Sequence, residues 1–126
     1  MENKRILIVD DEIFFLQLID SMLKRIGGYE VMTLINTHDL VKRINDFKPD
    51  IIFLDIVMPE ADGIEACRKL KNELYIKDIP VIMLSAMSRD EDKKRAFEAG
   101  ADDFIAKPVT KEILISKIDN FLGRKE

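Results

Sequence analysis

The chain has 126 residues, a length that fits one domain whose single hydrophobic core needs no disulfide or metal. Its 20 basic and 24 acidic residues give a net charge of -4 and are spread along the sequence, so no basic stripe predicts direct nucleic-acid binding. The single cysteine excludes an internal disulfide, and neither a secretory leader nor a membrane-spanning run of roughly 18 apolar residues is present. We therefore expect one soluble, cytoplasmic domain over residues 1–126, without a membrane partner.

The first predicted element is an apolar strand over residues 6–9 that ends in Asp10 and Asp11. Continuous apolar residues, without alternation, are typical of a strand covered on both faces, as in a parallel sheet flanked by helices. Apolar residues then recur at helical spacing over 13–26, and Gly27 is typical of a helix end. This segment therefore predicts a strand, an acidic turn and a helix.

A second unit of the same kind follows. A strand is predicted over 29–34, and Thr37 is a candidate cap for a helix that ends before Pro49. Four apolar residues at helical spacing predict the buried face of this helix: Leu40, Val41, Ile44 and Phe47. The unit carries no cluster of chemically reactive side chains.

The third strand covers residues 51–54 and runs directly into Asp55. Pro59 and Gly63 in the following segment are typical of a loop. Open α/β sheets bind ligands at the carboxyl ends of their strands, so Asp55 is a candidate site residue, although a lone aspartate there can also simply start a turn. The next helix is outlined by residues along one face: Ile64, Cys67, Leu70, Lys71 and Leu74.

The fourth strand, over 81–84, follows Pro80 and ends in Ser85, which adds a hydroxyl group to the predicted sheet edge. Residues 88–91, beginning with Ser88, have the spacing of a capping box. They predict the start of a charged helix that ends at Gly100.

A fifth strand is predicted over 102–106, and Lys107-Pro108 ends it. Thr110 is the predicted cap of the last helix, which ends at Gly123. The residues of this helix expected to face fully or partly inward are Ile113, Leu114, Lys117, Ile118 and Phe121 or Leu122.

Five strands that alternate with five helices, with no hairpin signal, predict a parallel sheet with helices on both faces. The fold class is therefore α/β with a doubly wound five-stranded parallel sheet. Right-handed crossovers favour the doubly wound strand orders, but the pattern does not decide between them.

The carboxyl ends of parallel strands meet at one edge of a sheet. Five polar residues follow strands one, three, four and five: Asp10, Asp11, Asp55, Ser85 and Lys107. Three neighbouring carboxylates repel one another by a few kcal/mol per pair at an effective dielectric of about 20, so a cation is expected among them. Oxygen ligands without histidine or cysteine favour Mg²⁺ (or Mn²⁺) over zinc.

A metal, an ammonium group and a hydroxyl around one carboxylate are what phosphoryl transfer to that carboxylate needs. Asp55 is the predicted acceptor because aspartate is a known covalent acceptor of phosphoryl groups. Each residue also has a structural explanation on its own: Asp11 as a helix cap, Ser85 as a turn residue and Lys107 as a solvated strand end. These explanations are independent of one another, so the joint pattern favours function.

Four segments carry a more specific pattern: ILIVDDE at 6–12, DIVMPEADG at 55–63, PVIMLSA at 80–86 and GADDFIAKP at 100–108. With them the chain resembles, over essentially its whole length, the receiver domains of two-component response regulators. The resemblance implies a flavodoxin-like fold with strand order 2-1-3-4-5, and it places one receiver domain over residues 1–126. It also implies a cis peptide bond at Lys107-Pro108.

The same resemblance implies the roles of the site residues. Asp55 would accept the phosphoryl group from a phosphohistidine of a sensor histidine kinase or a phosphotransfer protein. Ser85 and Lys107 would hold the phosphoryl oxygens. The expected Mg²⁺ ligands are Asp10, Asp11, Asp55 and the backbone carbonyl of Val57. The domain would be a signalling domain, and not an enzyme, that catalyses only its own phosphorylation and dephosphorylation.

Switching is assigned by the resemblance to Ser85 and Phe104. Ser85 would move toward the phosphoryl group, and the ring of Phe104 would turn into the vacated space. A downstream output protein or domain would then contact the surface of helix four, strand five and helix five. Two residues that flank the path of the hydrolytic water in this family, Val57 and Met87, cannot orient a water here, so we expect slow hydrolysis of the acyl phosphate.

Two other classes of function remain open at this point. An aspartyl-nucleophile phosphatase usually needs a second aspartate two residues after the first, where this chain has Val57. A receiver-like interaction module that phosphorylation does not regulate would normally lack one of the site residues, and none is missing. No DNA-binding or catalytic output domain is expected within these 126 residues.

Overall fold

The computed structural model describes residues 3–58, 61–86 and 89–123. The main sheet has five strands, numbered here in chain order: β1 (Lys4–Val9), β2 (Tyr29–Leu34), β3 (Ile51–Asp55), β4 (Val81–Ser85) and β5 (Asp103–Ala106). The helices alternate with them: α1 (Ile13–Ile26), α2 (Leu40–Phe47), α3 (Gly63–Lys71), α4 (Asp90–Glu98) and α5 (Lys111–Leu122). All strand pairs of the main sheet are parallel, in the order β2-β1-β3-β4-β5. The doubly wound α/β prediction and its strand order are confirmed.

The central strand β3 shows why the sheet is covered on both faces. Its side chains alternate between two cores, with Ile52 and Leu54 in one and Ile51 and Phe53 in the other. The first core lies against α2, α3 and α4, and the second lies against α1 and α5. Each fully buried aliphatic side chain contributes about 1.5–3 kcal/mol relative to exposure, so a strand apolar on both faces is stable only between two helical layers.

The hydrogen bonds of the sheet continue past the strand ends and align the candidate residues. The N–H of Asp10 donates to the carbonyl of Leu34 at 3.0 Å, and the N–H of Lys107 donates to the carbonyl of Ser85 at 2.8 Å. Asp55 is the last residue of β3. The parallel register therefore brings these groups to the same carboxyl edge of the sheet.

The helix boundaries agree with the sequence at α1 and differ at α2. Helix α1 covers the predicted residues 13–26 and ends at Gly27, which has a φ of 83°. The cap predicted at Thr37 is wrong, because α2 begins after Asp39, whose left-handed φ of 53° makes the turn into the helix. Thr37 contributes only its backbone carbonyl, which accepts from the N–H of Leu40 at 3.1 Å.

Two predicted inward residues are also wrong. Leu74 lies beyond the end of α3 and is exposed, because that helix stops at Lys71. Ile113 is exposed on α5, where Leu114 and Ile118, four residues apart, set the inward direction. The cap of α5 is confirmed, since the side chain of Thr110 accepts from the N–H of Ile113 at 3.2 Å.

The sequence carries no hairpin signal, yet the structure contains a short antiparallel pairing beside the main sheet. Residues Val57–Met58 pair with Ala61–Asp62 in a short antiparallel ribbon just after β3. We call this pair the small ribbon. Its strands have two residues each, which is too short for an alternating pattern to be visible in the sequence.

Helix α4 begins at Asp90 with Arg89 at its N-cap, and Gly100 follows its end with a φ of 102°. Ser88, which the predicted capping box requires, lies outside the described residues. Within the part of the chain that the structure describes, no helix has the length and apolar character needed to cross a membrane.

Candidate functional site

Three predicted carboxylates, two just after β1 and one at the end of β3, meet at the carboxyl edge of the sheet. Oxygen atoms of Asp10, Asp11 and Asp55 all lie within 4.8 Å of one another. Asp10 is 0% exposed and Asp55 is 4% exposed. Buried carboxylates are rare unless they are paired or bind a cation, so this cluster is a candidate metal centre.

The surroundings of Asp10 give the most direct indication of a cation-binding site. Its Oδ1 accepts from the N–H of Glu12 at 2.9 Å, which fixes the turn between β1 and α1. Its Oδ2 is buried and accepts no hydrogen bond of normal geometry, although the Lys107 Nζ lies 2.7 Å away. A buried oxygen with a lone pair unused fits a metal ligand. The hard oxygen donors present here therefore fit a magnesium ion.

Lys107 is the cation of the site that the structure shows. Its Nζ lies 2.7 Å from Asp10, 3.1 Å from Glu12 and 3.8 Å from Asp55, and its side chain is 11% exposed. The ring of Phe15 lies 4.8 Å below the same nitrogen. Burial alone would lower the pKa of Lys107, but its bonds with Asp10 and Glu12 outweigh burial and raise it. The ammonium group therefore stays charged.

Asp55 is held in an unfavourable electrostatic environment. Burial and then the charge of Asp10 raise the pKa of Asp55 to about 7. The ammonium of Lys107 and a long hydrogen bond of 3.4 Å from the N–H of Val57 only partly offset this effect. Near neutral pH, and without a divalent cation, the carboxyl group of Asp55 is therefore partly protonated.

Gly63 packs the start of α3 against the end of β3. A Cβ atom at this position would overlap the backbone carbonyl oxygen of Asp55 and crowd Ile56. The N–H of Gly63 donates to the carbonyl of Ile56 at 2.8 Å. The glycine thus sets the path of the chain beside Asp55, a role that its place in an Asp-Gly turn signal did not reveal.

A cleft opens at the site. Its volume is about 240 Å³, which leaves room for a small anion with several waters. Its lining is acidic, hydroxylic and basic: Asp11, Glu12, Asp55, Val57, Ser85, Ala86 and Lys107. A larger groove of about 620 Å³ lies between α2 and α3, but its ionisable side chains are exposed to solvent, so we place the chemistry in the smaller cleft.

The remaining predicted residues have different positions. Ser85 is buried at the end of β4, and the peptide bond at Lys107-Pro108 is cis, as predicted. Phe104 is half-buried against the core of α2, α3 and α4, with the Nζ of Lys93 5.9 Å from its ring. Met87 lies outside the described residues.

Sequence reasoning missed Glu12 as a site residue. Its carboxylate reaches Lys107, 95 residues further along the chain. It is the third consecutive acidic residue after β1, and that run was the available signal. Whether its side chain would cap α1 or reach across the sheet edge depends on where β5 ends, which the local sequence does not show.

Comparison with known proteins gives consistent matches. A family model described as the response regulator receiver domain matches residues 6–119. The phosphate regulon transcriptional regulatory protein PhoB of Pseudomonas aeruginosa is 40% identical over 98% of this chain and 54% of its own length. The alkaline phosphatase synthesis transcriptional regulatory protein PhoP of Bacillus subtilis is 36% identical over 98% of this chain and 50% of its own length. The chain therefore spans about half the length of these curated relatives.

Solved structures agree with the sequence matches. A two-component response regulator from Clostridium difficile superposes with a TM-score of 0.88 at 28% identity. The match covers 97% of this chain and 98% of that one. The likeness extends over the whole sheet and both helical layers, and the family match includes every strand end that contributes to the cleft.

Proposed function

Because this chain belongs to the receiver domain family of two-component response regulators, we propose that Asp55 accepts a phosphoryl group from a phosphohistidine. The donor is a sensor histidine kinase or a phosphotransfer protein. The observation that supports this most is the excess of carboxylates around the single ammonium of Lys107 beside an open cleft. The receiver domain extends over residues 1–126, and its chemistry is limited to its own phosphorylation and dephosphorylation.

The residues of the cleft divide the work of the transfer. An oxygen of Asp55 attacks phosphorus while the bond from phosphorus to the donor nitrogen breaks, and the histidine leaves. Lys107 and Ser85 hold the phosphoryl oxygens, which carry the charge of a loose transition state. Lys107 lies 3.8 Å from Asp55, so a turn of its side chain away from Glu12 would bring its ammonium to a group on that carboxylate.

The acidic cluster has a separate task. Asp10, Asp11, Asp55 and the backbone carbonyl of Val57 would hold Mg²⁺, which supplies positive charge to the phosphoryl oxygens when bound. The buried Oδ2 of Asp10, which accepts no hydrogen bond of normal geometry, and the 4.8 Å span of the cluster support this set. Without the cation, the aspartates repel one another and Asp55 is a poor acceptor because it takes up a proton.

The phosphoryl group then changes the surface of α4, β5 and α5, through Ser85 and Phe104. Ser85 and Phe104 lie on adjacent strands, and the Phe104 ring is half-buried, so it would turn further inward when Ser85 moves. Moving a domain from 1% to 99% active requires about 5.5 kcal/mol of differential stabilisation, which a few charge-assisted hydrogen bonds to the phosphoryl group can supply. A downstream output protein or domain contacts this surface.

The exposed side of α1 supports a protein donor. Ile13, Phe14 and Leu18 are large apolar side chains, all exposed, at the end of α1 that adjoins the cleft. Phe14 is therefore a site for contact with the histidine-bearing helix of a donor. The Phe14→Ala variant should lose transfer from a cognate kinase and keep phosphorylation by acetyl phosphate.

Phosphorylation of Asp55 is tested by mass spectrometry after incubation with acetyl phosphate or phosphoramidate, with and without Mg²⁺. One added phosphoryl group should appear with Mg²⁺ and be absent in Asp55→Asn. Asp46→Asn changes an exposed aspartate far from the cleft and serves as the matched control, which should be phosphorylated normally. An unmodified wild-type protein would support the interaction-module alternative, and steady turnover of a phosphate monoester would support the phosphatase.

Slow hydrolysis of the acyl phosphate is proposed from Val57 and Met87. Val57 lines the cleft, is largely exposed and has no group that orients a water. The decay of phospho-Asp55 in Mg²⁺ buffer measures this property. A lifetime of seconds would refute the proposal, and Val57→Asn should shorten the lifetime several-fold, about 1 kcal/mol in activation free energy. The control is Leu74→Asn, at an exposed apolar residue after the end of α3 that does not line the cleft.

A further inference from the structure

Glu12 occupies an unusual position for an acidic residue at the start of a helix. It is the N-cap residue of α1, yet its side chain caps no backbone N–H of that helix. Its carboxylate instead lies 3.1 Å from the Nζ of Lys107, at the mouth of the cleft. An N-cap carboxylate that gives up its usual partners for a distant lysine is held there by that lysine.

The distances show what this contact does to the lysine. Lys107 is closer to Glu12, at 3.1 Å, than to the acceptor Asp55, at 3.8 Å. The nearest partner of the Lys107 ammonium is the buried Asp10, at 2.7 Å, whereas Glu12 is 60% exposed and contacts the ammonium from the solvent side of the cleft. Glu12 is also absent from the group of carboxylates whose oxygens lie close enough to share a cation, among the residues that the structure describes.

We propose that Glu12 is a positioning residue that holds the Lys107 ammonium at the mouth of the cleft and so slows the arrival of the phosphoryl group. Lys107 has to leave Glu12 when it turns to the phosphoryl oxygens on Asp55. The contact therefore stabilises the unphosphorylated protein relative to the phosphorylated one. This inference rests on the proposed function of Asp55.

Two substitutions separate the contact from the charge. Glu12→Gln keeps the size of the side chain and removes its charge. Glu12→Asp keeps the charge at the mouth of the cleft, but is about 1.5 Å shorter and withdraws from Lys107. Glu98→Gln, on an exposed residue at the far end of α4, makes the same change in net charge away from the site and is the matched control.

The measurement is the rate of phosphorylation by acetyl phosphate and by phosphoramidate at saturating Mg²⁺. In either reaction an oxygen of Asp55 bonds to phosphorus as the bond to the acetate oxygen or to the nitrogen breaks, and acetate or ammonia leaves. Glu12→Gln and Glu12→Asp should both react about two- to five-fold faster than wild type, the range expected for loss of an exposed ion pair. The gain should be similar with both donors, and Glu98→Gln should match wild type.

Several results would overturn the proposal. One is a phosphorylation rate of Glu12→Gln that equals that of wild type or falls below it. Another is a phosphorylation rate of Glu98→Gln as high as that of Glu12→Gln. If Glu12→Asp behaves as wild type, or if the gain is confined to the more highly charged acetyl phosphate, Glu12 acts only through charge at the mouth of the cleft and does not hold the lysine.

A second readout does not depend on phosphorylation. Calorimetric titration with Mg²⁺ alone should give the same affinity for Glu12→Gln and wild type, whereas a weaker affinity would make Glu12 a metal ligand and overturn the proposal. If wild type takes up no phosphoryl group, the proposed function fails. If wild type reacts and the Glu12 variants do not differ from it, this inference alone fails.

Discussion

The main sheet has a contact between a lysine and an aspartate at both ends of its strands. At the amino ends of the strands, which we call the amino edge, the positive and negative charges are balanced. There, the Nζ of Lys71 lies 2.7 Å from Asp102 and also donates to the backbone carbonyls of Ile79 at 2.8 Å and Lys77 at 3.2 Å. The same Asp102 oxygen accepts from the N–H of Val81 at 2.8 Å. One positive and one negative group are thus matched, and their hydrogen bonds join α3 to the starts of two strands.

The carboxyl edge has the opposite character. Lys107 faces Asp10, Glu12 and Asp55, so that a single ammonium serves several carboxylates. One oxygen of Asp10 lacks a normal hydrogen bond, and the pKa of Asp55 is raised to about 7. Uncompensated charge of this kind costs stability.

The difference separates a structural ion pair from a functional one. A matched pair lowers the energy of the folded protein and needs nothing further. In an excess of carboxylates, mutual repulsion raises that energy, and the binding of a cation would relieve it. The two edges should therefore respond to the same substitutions in opposite directions.

Removal of the amino-edge lysine should have the largest effect. Lys71 is only 14% exposed, and Lys71→Met keeps its apolar stem but leaves Asp102 without its cation and the carbonyl of Ile79 without its donor. We expect a loss of about 2 kcal/mol in the free energy of unfolding, measured by urea denaturation. Lys69→Met, an exposed lysine on the same helix, should change it little. A loss as small as that of the control would mean that the amino edge is not held by this pair.

Matched substitutions of aspartate by asparagine should differ in sign between the edges. Asp102→Asn removes the partner of Lys71 and should lower the free energy of unfolding by about 1–2 kcal/mol. Asp55→Asn relieves repulsion with Asp10 and should raise it by about 1–2 kcal/mol in buffer without divalent cations. Thermal and urea unfolding measure both. Destabilisation by Asp55→Asn would contradict the comparison.

A change of pH should have a smaller effect on the free energy of unfolding, through the titration of Asp55. The pKa of Asp55 is about 7 in the folded protein and 3.8 in a solvated aspartate, so the folded state binds the extra proton between these values. The free energy of unfolding should therefore rise as pH falls through 7, by about 1 kcal/mol between about pH 8 and about pH 6. The destabilisation caused by the ionised Asp55 is present in full above the pKa of the folded state.

The variant Asp55→Asn isolates that contribution, because it cannot take up the proton. Its advantage over wild type should be greatest at alkaline pH and should shrink as the pH falls toward 4. Mg²⁺ should reduce the same difference, since it competes with the proton for the site. A difference that does not change with pH would show that Asp55 is not the group responsible.

Much of the architecture followed from local pattern. The unbroken apolar run before Asp55 required two covering layers, and the glycine after residue 26 ended α1 where expected. Prediction failed where the local sequence did not determine the path of the backbone. Thr37 had the right chemistry for a cap, but the chain turned into α2 through the left-handed Asp39, and the small ribbon was too short to leave a pattern.

Residue chemistry and its place at strand ends were enough to nominate Asp10, Asp11, Asp55, Ser85 and Lys107. Strand order came from resemblance, because a pattern of apolar residues describes the surroundings of each strand and says nothing about which strand is its neighbour. The contact of Lys107 with Glu12 and the pairing of Lys71 with Asp102 depend on distances between segments remote in the chain, and the contact of Gly63 with the end of β3 depends on how α3 packs there. These distances are set only when the strands pair into the sheet and the helices pack on it.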